Sequence, residues 1–148
     1  MTEIEAKSIL IKELNFSQDS LYKLDIFCKE LILYNEKFNL IGKSTINNIW
    51  ERHILDSAQL VKFINFKDNL SLSDLGTGAG FPGIVLAIFN KNTKFHVKLY
   101  EKSQVKTKFL NNICEKLKHS NHRNQYRQTR VFGYHSNEYR RKSTRRDF

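Results

Sequence analysis

The sequence predicts an α/β fold in which an N-terminal helical part leads into one β-α-β unit of the nucleotide-binding kind. Three observations predict it. Residues 3 to 64 carry apolar positions at helical spacing. The stretch Leu72 to Gly83, LSDLGTGAGFPG, then runs an apolar strand pattern straight into clustered glycines. A second short strand pattern, Phe95 to Tyr100 (FHVKLY), follows and closes on Glu101.

In chain order, residues 3 to 14 (EIEAKSILIKEL) place Ile4, Ile11 and Leu14 near one helical face with Leu10 beside them. Ser17 to Asp19 offer caps for a longer helix through Leu21, Leu24, Cys28, Leu31 and Tyr34, with its end expected near Asn39 to Gly42. Lys43 to Thr45 give the next loop and cap, and Ile46 through Ile64 are helical in pattern with a break near His53. These helices form an extension over residues 1–66, ahead of a βαβ unit over 67–118. After Glu101, Ser103 caps a helix in which Val105, Phe109, Ile113 and Leu117 recur every four residues, with Leu110 alongside. Lys102, Lys106, Lys108, Lys116 and Lys118 fall mainly on its other faces, either as a solvated surface or as a weak attraction for RNA.

Gly76, Gly78, Gly80 and Gly83 are four of the six glycines, and Pro82 is the only proline. Glycine lets a ligand approach the main chain, and proline suits the first turn of a helix, so the stretch reads as strand, tight turn, helix start. Such a turn brings free backbone N–H groups to a ligand. Gly78, Gly80 and Gly83 also fit a dinucleotide fingerprint, a weak signal when alone. Against it stands Asp74, whose carboxylate repels a phosphate and attracts an ammonium or sulfonium group. An acid followed by glycines at alternate positions resembles the first motif of S-adenosylmethionine-dependent methyltransferases. Glu101 lies 21 residues after Gly80, close to the spacing at which an acid meets the ribose hydroxyls of a nucleoside; its other reading is a surface acid beside Lys102.

Two further signatures precede the glycines: Tyr34-Asn35-Glu36-Lys37-Phe38-Asn39-Leu40 and Arg52-His53-Ile54-Leu55-Asp56-Ser57. In this order, and with LSDLGTGAGFPG, they resemble the bacterial small-subunit (16S) ribosomal RNA guanine-N7 methyltransferase G family, also called glucose-inhibited division protein B. The resemblance runs from about Ile9 to Lys118. It implies a Rossmann-like methyltransferase fold, S-adenosyl-L-methionine as cofactor, 16S ribosomal RNA or the small ribosomal subunit as partner, and a cytoplasmic monomer away from membranes. It also implies a cofactor site of Asp74, Gly76, Gly78, Gly80, Phe81 and Glu101. Packing explains Phe81 equally, and Arg52, His53 and Asp56 read as a polar cluster fastening the extension to the core. Guanine N7 carries its own lone pair and needs no base to remove a proton, so no catalytic residue is assigned.

The length of 148 residues and 40% hydrophobic content suit one globular core. Cys28 and Cys114 lack metal-ligand spacing and read as buried free thiols; no metal is expected. No apolar run approaches a membrane span, and the N-terminus is acidic rather than signal-like. Residues 1–118 hold 16 Lys and 1 Arg against 13 acids, net +4, whereas residues 119–148 hold 1 Lys and 7 Arg against 2 acids, net +6. That tail shows no periodicity and reads as disordered: an arginine-rich RNA-binding segment, or the product of a shifted reading frame that truncates the enzyme. With two expected strands only, the chain is expected to fold poorly and to have little or no activity.

Overall fold

The computed structural model describes residues 1–120 and 129–133. Helix α1 (Glu3–Lys12) starts from a reciprocal cap: Thr2 Oγ1 accepts from Glu5 N at 3.2 Å, and Glu5 Oε2 accepts from Thr2 N at 2.8 Å. Its core face is centred on Ala6 and Leu10, one turn apart. Ile4, expected on that face, is 81% exposed, and Leu14 is buried beyond the end of the helix, where helical spacing no longer applies. Helix α2 (Gln18–Asn35) is capped by Ser17 and buries Leu21, Leu24, Phe27, Cys28 and Leu31. It stops at Asn35, short of the expected end near residues 39–42, because Asn35 Oδ1 turns the chain by accepting from Ile41 N at 2.8 Å.

The segment expected as one helix over 46–64 is divided into short pieces. They are α3 (Lys43–Ile46), a π-helical turn (Trp50–Leu55), α4 (Asp56–Ala58) and a 3₁₀ turn (Gln59–Phe63). The cause lies in spacing: the buried pairs Ile49 and Ile54, and Trp50 and Leu55, are each five residues apart. An α-helix turns those positions away from each other, whereas a turn wider by one residue keeps both on the core.

The sheet is parallel, in the order β1 (Ser71–Leu75), β2 (His96–Glu101), β3 (Thr129–Gly133). Helix α5 (Gly83–Phe89) connects β1 to β2, and α6 (Gln104–His119) follows β2 from its cap at Ser103. This is the first half of a Rossmann-like methyltransferase fold. Residues 83–88 of α5 are all buried, and α5 packs against α2, α4 and β2. In α6 the buried stripe is Phe109, Leu110, Ile113, Cys114 and Leu117; Val105, expected to begin it, is 43% exposed. Both cysteines are buried and free, and burial pushes the Cys114 thiol up to about 12.

β3 falls inside the stretch expected to lack structure. Its five residues are too few for a legible alternation, but in register against β2 they complete a ladder. Phe132 stacks on its partner Tyr100 at 4.9 Å. The expectation of disorder for residues 121–128 and 134–148 lies outside the described residues. No helix among the described residues is long and apolar enough to cross a membrane.

Val97, Leu99 and Glu101 of β2 face the helices and are buried, while Ser71, Ser73 and Leu75 of β1 point the other way and are exposed. Parallel sheets normally carry cover on both faces. Among the described residues β1 also pairs on one side only, beside exposed Leu60, Phe63 and Leu70. Native chain at neutral pH is therefore expected to bind a hydrophobic dye. Phe63→Lys/Leu75→Lys should cut that fluorescence by more than half while shifting urea-measured stability by no more than about 0.5 kcal/mol, as for surface substitutions.

Candidate cofactor site

The site forms where β1 and β2 end. Gly76 N and Thr77 N both donate to the carbonyl of Tyr100, at 2.8 and 3.0 Å, which fastens the glycine loop to the end of β2. Asp74 Oδ2 accepts from Thr77 Oγ1 at 2.6 Å and from Gly83 N, the first residue of α5, at 2.9 Å. Glu101 Oε2 accepts from Gly78 N at 2.9 Å and its Oε1 from Ser103 N at 2.8 Å. One carboxylate thus ties the loop to α5, and the other ties it to the start of α6.

These bonds bear on the row of free donors that the fingerprint predicts. The N–H groups of Gly76, Thr77, Gly78, Gly80, Phe81 and Gly83 all donate within the protein, so the expected row of free donors is absent from these positions. A pyrophosphate needs such donors, and here the N-terminus of α5 is already occupied by the Asp74 carboxylate. Burial pushes the Asp74 carboxyl above its ordinary 3.8, against the two hydrogen bonds it accepts. Oδ1 has no hydrogen-bond partner among the described residues. The arrangement favours a cationic or neutral group over an anionic one.

The four glycines divide into two kinds. A Cβ on Gly76, where φ is +76°, would meet nothing within 4 Å, and one on Gly78 would meet only Gly76 O at 4.0 Å. These two positions leave the backbone open to a ligand. At Gly80 a Cβ would lie 2.6 Å from Ile84 Cγ1, and at Gly83 it would collide with Leu99 Cδ2 and lie 2.7 Å from Asp74 Oδ2. Those two allow close packing, Gly80 against Ile84 of α5 and Leu110 of α6, and Gly83 against Leu99 of β2.

A family model described as GidB, rRNA small subunit methyltransferase G, matches residues 20–139. The chain belongs to the GidB family. Curated relatives named ribosomal RNA small subunit methyltransferase G include that of Pelagibacter ubique, 42% identical over 80% of this chain and 57% of its own length. That of Cereibacter sphaeroides is 41% identical over 74% of this chain and 53% of its own. The relative from Mycoplasma mycoides is 39% identical over 74% of this chain and 78% of its own length. The chain spans about half the length of the first two. The GidB match also passes Lys118, where the sequence resemblance was expected to stop, and takes in β3.

In this GidB-family chain Phe81 is half-buried in a column, its ring 5.1 Å from Phe27 and 4.9 Å from the stacked ring of His53. His53 Nε2 is held 2.8 Å from Thr45 Oγ1. Of the three residues expected to fasten the extension, His53 does so; Arg52 and Asp56 are exposed and bond to no side chain among the described residues. Thr77, 2% exposed, is a site residue that sequence reasoning missed; its signal is a hydroxyl three residues after Asp74, the spacing of a side-chain turn.

Two tests follow from this packing. Gly83→Ala should lower stability in urea by about 1–3 kcal/mol, since the added methyl overpacks β2. His53 provides the second. Burial lowers its pKa from 6.5, outweighing nearby Asp56. The unfolded chain therefore takes up the proton first, and stability, complete above pH 6.5, is lost as pH falls through that value. The urea midpoint should decline from about pH 7.5 to about pH 5.5, and His53→Gln should flatten that decline.

Proposed function

We propose that this chain carries the cofactor-binding half of an S-adenosylmethionine-dependent enzyme that methylates N7 of a guanine in 16S ribosomal RNA, acting in the cytoplasm. The observation that carries the reading is the placement of Asp74: its carboxylate takes the helix N-terminus that a dinucleotide phosphate would need. When bound, S-adenosylmethionine supplies an electrophilic methyl group on a sulfonium centre. Asp74, whose Oδ1 has no hydrogen-bond partner among the described residues, would offer a negative atom to the cationic end of such a ligand, and Gly76 and Gly78 would let it lie against bare backbone. Glu101 keeps lone pairs for a ribose diol beyond the two N–H groups it already accepts, while Phe81 braces the loop from below. A guanine N7 lone pair would need no base to take that methyl group as the sulfur–methyl bond broke and S-adenosylhomocysteine left, so positioning by the chain's residues would supply the acceleration.

The 148-residue chain is proposed to transfer methyl groups slowly or not at all on its own. The exposed outer face of β1 and its one-sided pairing among the described residues support this. Calorimetric titration with S-adenosylhomocysteine and with NAD tests the cofactor assignment. S-adenosylhomocysteine should bind, Asp74→Ala should weaken it at least tenfold, about 1.4 kcal/mol, and NAD should give no heat. Binding of NAD alone overturns the assignment. Methyl transfer to small-subunit RNA at the rate of a full-length relative overturns the proposed weakness.

A further inference from the structure

Lys102, just ahead of α6, and the helix's own Lys108, Lys116 and Lys118 fall into two groups that the sequence does not separate. Lys116 pairs with Glu30 at 2.6 Å and Lys118 with Glu115 at 2.6 Å, so the C-terminal half of the helix is neutralised. Lys102 and Lys108, at its N-terminal end, have no carboxylate partner among the described residues. Both line a surface depression that lies at the carboxyl ends of β2 and β3, floored by Gly133. Gln104, Lys108 and Asn111, spaced by four and then three residues, share one helical face with Thr107 beside them, and all of them line it too.

We propose that this depression holds phosphodiester groups of the RNA strand, an assignment that rests on the function proposed above. Among the described residues its lining brings two ammonium groups and three neutral hydrogen-bonding side chains together with no carboxylate. The nearest acid by sequence, Glu101, is 7% exposed and its hydrogen bonds go to Gly78 N and Ser103 N, so neither lysine forms an ion pair with it. Anions collect where cations have no internal partner, and amides and hydroxyls add donors to phosphate oxygens. The position suits the task as well. Glu101 links Gly78 on one side to Ser103 on the other, so a strand gripped at Lys102 passes directly beside the cradle of Gly76 and Gly78.

A free phosphate or nucleotide offers the same chemistry, and the test separates the two. Fluorescence anisotropy with a labelled single-stranded RNA oligonucleotide, across a series of KCl concentrations, is compared for the full chain, Lys102→Gln/Lys108→Gln and Lys116→Gln/Lys118→Gln. The first variant should lower the slope of log affinity against log salt by about 1.4, about 0.7 for each phosphate of the single strand that is no longer neutralised, and the second should leave it unchanged. Equal reductions in both variants, or none in the first, overturn the proposal. So does competition by inorganic phosphate or guanosine monophosphate as strong, per phosphate, as that of unlabelled RNA. S-adenosylhomocysteine titration of the same proteins keeps the two claims apart: its failure with the unaltered chain sinks the cofactor reading, whereas the salt slopes judge the RNA-binding depression.

Discussion

Two carboxylates at neighbouring strand ends hold this structure's functional region together. Asp74 and Glu101 each engage backbone N–H groups, and between them they fix the loop, the start of α5 and the start of α6. A hydrogen bond to an ionised acceptor is about twice as strong as a neutral one, and removing the donor leaves a buried charge without compensation. The loop is thereby shaped before any ligand arrives. The N–H groups of Gly78, Gly83 and Ser103 are thereby committed to protein carboxylates.

The helical extension acts on this loop through aromatic packing more than through charge. Phe27 of α2 lies between Phe81 on the loop and Phe109 on α6, and Tyr34 continues the row, 5.1 Å from Phe109 with its hydroxyl accepting from Asn112 Nδ2 at 3.2 Å. The Lys116–Glu30 pair closes the far end of the same interface. A three-stranded sheet gives little burial alone; α2 provides the apolar wall against which α5 and α6 both rest.

Much of this was legible beforehand, and the failures share a physical origin. The caps at Ser17 and Ser103, both strands flanking the glycines and the start of α5 depend on local chemistry, and local chemistry is written in consecutive residues. Ile4 and Val105 went astray because helical spacing names a face without saying how far along the helix its neighbour extends. β3 was hidden because five residues interleaved with arginine gain their meaning only from β2. In the site, the identities of Asp74, Gly76, Gly78, Gly80, Phe81 and Glu101 pointed to the loop, but spacing could not show how tightly Gly80 and Gly83 are packed, nor that the loop's donors are consumed internally.

The π-helical turn at Trp50–Leu55 carries an evolutionary consequence. Such a turn holds one residue more than an α-helical turn, so a single-residue deletion there is sterically easy and would leave a regular helix behind. It would also rotate everything on one side of the deletion by about 100°, since an α-helix completes a circle in 3.6 residues. His53 would swing off Phe81 while every codon for the glycine loop stayed intact. Length in this six-residue turn is therefore under a tighter constraint than the identity of several of its side chains, and homologues should vary there by substitution rather than by gap.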